Sequence, residues 1–169
     1  MPDPTEHTQN RNVIETVLRH IPGFRGYLEK EYRRESDSLQ REWLADRLDR
    51  SKRGLDDFSR ALVDAGQIDD LPQCDRLRGR IDKLSSRIRG AMDGYSGFFD
   101  LVRIDEAALD RVYQFDGALI ERIDNFATRI EGLPAQSESA PAAVKQLLDE
   151  ADALDKIWDE REDILKGLD

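Results

Sequence analysis

PQCDRLRGRIDKLSSRIRGAMD, residues 72–93, is the stretch that decides the fold. Its apolar residues Leu77, Ile81, Leu84, Ile88 and Ala91, continued by Tyr95, are spaced 4, 3, 4, 3 and 4 apart, the repeat of a helix that turns one seam toward partner helices. Asp69 and Asp70 stand before it as N-cap candidates, and Pro72 suits a first helical turn. A seam of this kind has to be covered by others, so the rest of the chain is read for its partners.

The segment that follows supplies one. Behind Asp105, a second N-cap candidate, Leu109, Tyr113, Asp116, Ile120, Ile123, Ala127 and Ile130 repeat the same alternation until Gly132, predicting a helix over 105–131. One position of that seam, Asp116, is a carboxylate. Upstream, a longer pattern runs over 27–65 without a proline and with Gly54 as its weak point; unbroken, it makes a rod of roughly 58 Å. Leu44, Leu48, Leu55, Phe58 and Leu62 keep heptad spacing with Ser51 as a polar exception, whereas Leu28, Tyr32, Leu39 and Trp43 form a second stripe, which predicts a change of partner along the rod. A last helix over 142–166 is marked by Val144, Leu147, Ala151, Leu154, Trp158 and Leu165, after a connection, 133–141, of flexible composition (LPAQSESAP). At the other end, Val13, Ile14, Val17, Leu18 and Ile21 give a short amphipathic helix within 12–22, stopped by Pro22-Gly23, and residues 1–11 read as a disordered terminus. The expected architecture is all-α: an up-down antiparallel four-helix bundle spanning 23–167 with a long first core helix, preceded by the short amphipathic helix. The run Phe98 to Ile104 reads as a loop rather than a strand.

Composition bounds the function. The 169 residues carry 36 acidic and 26 basic side chains, a net charge of -10, with 38% hydrophobic residues; that sustains one domain and argues against a general nucleic-acid binder, which needs a basic face. Absence of a long apolar run or a signal-like N-terminus, and a single cysteine, Cys74, lead to the expectation of a cytoplasmic protein. Charge is unevenly placed. Arg25 to Arg53 holds nine basic and seven acidic residues, a balance of +2, while Ser137 to Asp169 holds four and ten, a balance of -6. Pairs such as Glu29 with Arg33 and Asp46 with Arg50 are spaced to stabilise an exposed helix face.

Catalytic constellations are missing their parts. The histidines are His7, in the terminus, and His20, and neither follows a glutamate by three residues, so the di-iron motif of helical bundles, zinc sites and histidine-based triads are not formed. Gly94-Tyr95-Ser96-Gly97 is one residue short of a nucleophile elbow and follows a helix instead of a strand. Neither cofactor nor metal is expected. Asp116 is the most informative titratable residue: as a metal ligand or acid it lacks a second carboxylate, so the favoured reading is a buried anion paired with an arginine or tyrosine of a neighbouring helix.

Two blocks carry a resemblance. IPGFRGYLEKEYRRESDSLQREWLADRL, from Ile21, and GYSGFFDLVRIDEAALDRVYQFDGALIE, from Gly94 to Glu121, resemble an uncharacterised family of bacterial and archaeal helical proteins with a Pro-Gly-Tyr-Arg-Gly-Tyr block and a Gly-Tyr-Ser-Gly-Leu-Phe-Asp block. Phe24 and Gln114 depart from the family pattern, which has Tyr and Glu there. The resemblance implies a helical fold and no catalytic residue. It points to Arg25, Tyr27, Arg33, Arg34, Tyr95, Phe98, Phe99, Tyr113 and Asp116 as residues that work together, with Asp116 accepting from Arg33, Arg34 or the Tyr27 hydroxyl in a buried polar network.

The expected function is a non-enzymatic interaction or scaffold module that binds another protein or itself through Val13, Ile14, Val17 and Leu18, with Arg25, Arg33 and Arg34 nearby. Two alternatives stand beside it: peripheral attachment to an anionic membrane through the same residues and Phe24, and a metal-binding or enzymatic bundle using carboxylates.

Overall fold

The computed structural model describes residues 13–27, 29–91, 105–133 and 140–166. Residues 13–20 form helix α1. The core helices are α2 (Lys30–Asp64), α3 (Leu71–Arg89), α4 (Glu106–Glu131) and α5 (Ala140–Lys166), with a 3-10 turn at Ile68–Asp70 leading into α3. The all-α bundle is therefore observed. The terminus 1–11, the turn at 94–100 with Tyr95, Phe98 and Phe99, and residues 134–139 of the predicted connection lie outside the described residues.

Helix ends follow local chemistry with some differences. Helix α2 starts at Lys30 rather than Tyr27, because Gly23 and Gly26 adopt positive φ (84° and 86°) and hold the chain in a turn before it. A Cβ at Gly26 would fall on the Tyr113 hydroxyl, so that position excludes side chains by contact as well as by conformation. Helix α3 stops at Arg89, short of the predicted Asp93, with Gly90 at its C-cap. Asp70 and Asp105 do occupy N-cap positions, but neither side chain bonds the first turn.

Helix α2 packs on α3 and α4, and α5 packs on the same two, so α3 and α4 occupy opposite corners although they are consecutive in the chain. Ion pairs fix the directions. Arg89 with Asp46, Lys52 with Asp82 and Arg78 with Asp56 run α2 and α3 antiparallel; Arg122 with Glu150 and Arg161 with Asp116 do the same for α4 and α5. By contrast, Tyr27 lies by Tyr113 and Arg47 by Asp124 and Glu131, which makes α2 and α4 parallel. Arg80 with Asp152 and Arg87 with Asp159 make α3 and α5 parallel. The helices alternate up and down along the chain, as expected of an up-down bundle, and the diagonal step from α3 to α4 makes two of the neighbouring pairs parallel.

Charges serve the same contacts. Asp46 pairs with Arg89 of α3 and leaves Arg50 to donate to its carbonyl, so the pair expected between these two is replaced by one between helices. Asp152, Asp155 and Asp159 of the acidic last helix meet Arg80, Lys83 and Arg87 of α3.

The seam of α2 departs most from expectation. Leu44, Leu48, Ser51, Leu55, Phe58 and Leu62 are buried as expected, and the same spacing continued upstream reaches Gln40, Asp37 and Arg33, which are buried too. The seam keeps its register and changes from apolar to polar. Tyr32, Leu39 and Trp43 are only partly buried. The segment before α2 covers them: the His20 ring meets Trp43 edge-on at 5.5 Å, and the Arg25 guanidinium lies 4.7 Å above Tyr32.

Gly54 does not break α2; it lets α2 touch α4. A Cβ there would stand 2.6 Å from Glu131 Cα and 2.9 Å from the Ile130 carbonyl oxygen, both backbone atoms that cannot swing away. Gly54→Ala should gain up to about 1 kcal/mol of helix propensity and lose more through backbone displacement, for a net loss of about 1–2 kcal/mol. Denaturant unfolding checks this, and a variant more stable than the wild type would contradict the close approach.

Candidate functional site

The polar part of the α2 seam faces one carboxylate and one arginine of other helices. Asp116 of α4 is 0% exposed. Its Oδ1 accepts from Arg161 Nε of α5 at 2.7 Å, and its Oδ2 accepts from the Tyr27 hydroxyl at 2.8 Å and from Arg161 Nη2 at 3.3 Å. Arg161, 1% exposed, also donates Nη2 to Asp37 Oδ1 at 2.7 Å, and Asp37 Oδ2 accepts from Arg41 Nε at 2.9 Å at the edge of the cluster. Asp116 and Asp37 are thereby matched by two guanidinium groups, the condition under which charges can stay ionised away from water. The Arg161 guanidinium further lies over the Trp158 ring, 5.2 Å from its centre.

Backbone groups join the cluster. The Tyr27 N–H donates to the Tyr113 hydroxyl at 2.5 Å, and Arg33 Nε donates to the Tyr27 carbonyl at 2.6 Å. Tyr27 is thus held at its backbone and at its ring end, just before α2 begins. Its hydroxyl has one proton but faces two acceptors, Asp116 Oδ2 and Gln40 Oε1, the latter at 2.5 Å. The tyrosine proton goes to the carboxylate, the stronger acceptor, and Gln40 Oε1 also accepts from Arg161 Nη2 at 3.4 Å. Among the described residues, Gln40 Nε2 has no hydrogen-bond partner.

Burial, and then the negative charge of Asp116, pushes the Tyr27 hydroxyl well above the ordinary tyrosine value. For Arg161, burial works against the charge, but Asp116 and Asp37 overcome it and hold the guanidinium well above its usual value. Both groups therefore keep their donor protons at any neutral pH.

The expected network is present in part. The Tyr27 hydroxyl does reach Asp116. The arginine on Asp116 is Arg161, neither Arg33 nor Arg34: Arg33 is buried on the Tyr27 carbonyl, and Arg34 is exposed. Sequence reasoning misses Arg161, Asp37 and Gln40, yet each leaves a signal. Arg161 falls on the α5 seam between Trp158 and Leu165, as Asp116 does on its own helix, and Asp37 and Gln40 continue the α2 spacing.

The expected contact residues are divided. Val17 is fully buried, and Val13 and Ile14 pack partly buried against the core, so the apolar face of α1 is covered by its own bundle. That corrects its reading as free surface. Leu18 remains 49% exposed, and Arg25 is exposed. Among the described residues, no group of three or more His, Cys, Asp or Glu is arranged to hold a metal ion. A surface depression of about 150 Å³ lies between Ser38, Arg41, Glu42 and Arg89, and a smaller one, about 60 Å³, beside Arg129 and Leu147. Comparison of the chain with family models, with curated proteins and with solved structures finds no match.

Two outcomes follow from the geometry. Asp116→Asn leaves Arg161 with half its counter-charge in the core and should cost about 3–5 kcal/mol, as should Arg161→Leu. The double variant should lose less than the sum, because neither charge is then stranded; additive losses in chemical denaturation would show that the two do not interact. In the second case the sign follows from linkage. With its folded value above its unfolded value near 10, Tyr27 contributes fully below about pH 10, and above it the unfolded chain releases a proton that the folded chain retains, so stability falls as pH rises. Tyr27→Phe should flatten that alkaline slope, and an unaltered slope would assign it to other groups.

Proposed function

We propose that the protein is a helical-bundle module that binds another protein or a second copy of itself and carries out no reaction. The observation that supports this most is the use made of the core's ionisable groups. Asp116, the one carboxylate on an otherwise apolar seam, has both oxygens engaged by Arg161 and Tyr27 and none facing solvent. A group so engaged ties helices together and has no oxygen left to meet a substrate.

Among the described residues, few large apolar side chains remain exposed. Val63 is 53% exposed and Ile68 62% exposed, on either side of the turn between α2 and α3. Together with Leu18 they are the exposed large hydrophobic residues among those described. We place the contact surface at this turn, since most of the apolar face of α1 is already covered.

Kinship with the helical family of the two sequence blocks belongs to the same proposal. It is supported by the meeting of the blocks in space, where Tyr27 and Arg33 of the first join Tyr113 and Asp116 of the second. A cytoplasmic location is also proposed; no helix among the described residues is long and apolar enough to cross a membrane. Attachment to a membrane surface ranks second, because it asks for side chains the bundle already uses: Val17, Phe24 and Arg33 are buried. Flotation with anionic liposomes is its check. A carboxylate-based metal or enzymatic role ranks third and is checked by metal analysis of the purified protein.

The turn is tested by Val63→Asp with Ile68→Asp. The pair should leave the melting temperature within a few degrees of wild type, since neither residue is in the core, and should weaken self-association in sedimentation over a concentration series or remove a protein that co-purifies. Identical mass and identical co-purifying proteins for both chains would remove this reading.

A further inference from the structure

The hydrogen bonds of the ion cluster leave three donors over. Arg161 uses Nε and Nη2 on Asp116, Asp37 and Gln40 Oε1, while Arg161 Nη1, Gln40 Nε2 and Trp158 Nε1 are buried and meet no acceptor among the described residues. The three side chains are at most 1% exposed. They also share one neighbourhood: the guanidinium carbon stands 5.2 Å from the centre of the Trp158 ring, and Gln40 Oε1 is 3.4 Å from Arg161 Nη2. Buried donors are nearly always paired, and a charged one is the costliest to leave over.

The chemistry of the cluster selects what pairs with them. An anion would accept from all three donors but would stand beside Asp37 and Asp116, and like charges repel strongly away from bulk water. Water carries no such cost. It accepts two hydrogen bonds and donates two, and acceptors for its own protons are at hand: the Oδ1 atoms of Asp37 and Asp116 each accept from Arg161, where a carboxylate oxygen has room for a second donor. Three donor groups exceed the two lone pairs of a single molecule, so more than one is needed. Solvent comes close at one edge, because Arg41, which holds Asp37, also lines the depression of about 150 Å³ with Ser38, Glu42 and Arg89.

We propose that internal water molecules belong to the ion cluster, accepting from Arg161 Nη1, Gln40 Nε2 and Trp158 Nε1 and donating to Asp37 and Asp116. The cluster is then a hydrated ion pair inside the core, in which water satisfies the donors that the side chains leave over. This stands apart from the interaction reading, since it concerns neither the turn surface nor a partner.

A crystal structure of the full chain at a resolution that places waters tests this, with a second data set from crystals in which bromide replaces chloride. The expected result is water density at about 2.7–3.2 Å from Arg161 Nη1, Gln40 Nε2 and Trp158 Nε1, with no anomalous signal from bromide there. Donors left without density, or met by carbonyl or carboxylate groups of the chain, would overturn the proposal. A bromide peak would overturn it too, by marking an anion. In solution, the indole Hε1 of Trp158 should give a nuclear Overhauser cross-peak to water with the sign of a molecule that tumbles with the protein; no cross-peak, or one with the sign of mobile surface water, would count against water at that donor and overturn the assignment.

Discussion

The ion pair between Arg161 and Asp116 is the interaction on which the arrangement of this bundle depends. Two charges removed from water are tolerated only when each is matched and hydrogen-bonded, and here the match requires three helices at once. Asp116 comes from α4, Arg161 from α5, and Asp37 and Gln40 from α2. An apolar seam can slide by a turn and still bury its side chains. A guanidinium that has to meet two carboxylates cannot, so the cluster selects one register and one set of neighbours.

This divides the molecule into two parts. Toward the α2–α3 turn, Leu48, Leu55, Leu77, Ile81, Ile123 and Leu154 make an ordinary apolar core. Toward the other end, Arg33, Asp37, Gln40, Asp116 and Arg161 replace it, with Tyr27 at the centre. The apolar part supplies most of the driving force for folding; the polar part decides which packing is adopted. Between helices, surface ion pairs such as Arg87 with Asp155 and Arg47 with Glu131 follow the same pattern of pairing, although their exposure makes each of them a small contribution.

The same division governs how much is legible from residue spacing. The apolar seams of α3, α4 and α5 are legible because a 4-3 spacing of Leu, Ile and Val fits a helix with one buried stripe and does not fit the alternation of a strand. Asp116 is legible as an anomaly in such a seam. Its arginine is not, since Arg33 and Arg34 stand closer to Tyr27 in the chain, while Arg161 sits in a helix whose composition is acidic. In α2 the flanking Tyr32, Leu39 and Trp43 suggest a second inward stripe, because hydrophobic residues ordinarily mark the buried face. The inward face there is Arg33, Asp37 and Gln40, and only partners of opposite charge or matching hydrogen-bonding character make that burial favourable.

By itself the sequence determined that the chain is helical, roughly where each helix lies, and that one carboxylate is buried. These are local properties, set by spacing along one helix and by the turn residues between helices. Tertiary structure alone decided that α3 and α4 stand at opposite corners, that α1 folds back onto Gly117, and that Arg161 completes the cluster. Each of these joins residues far apart in the chain, and what selects the partner is geometry across the core: the gap left by a glycine, or the reach of a guanidinium to two carboxylates at 2.7 Å. Periodicity carries no record of those distances, because many residues of the right type stand at the right spacing and only packing decides which of them meet.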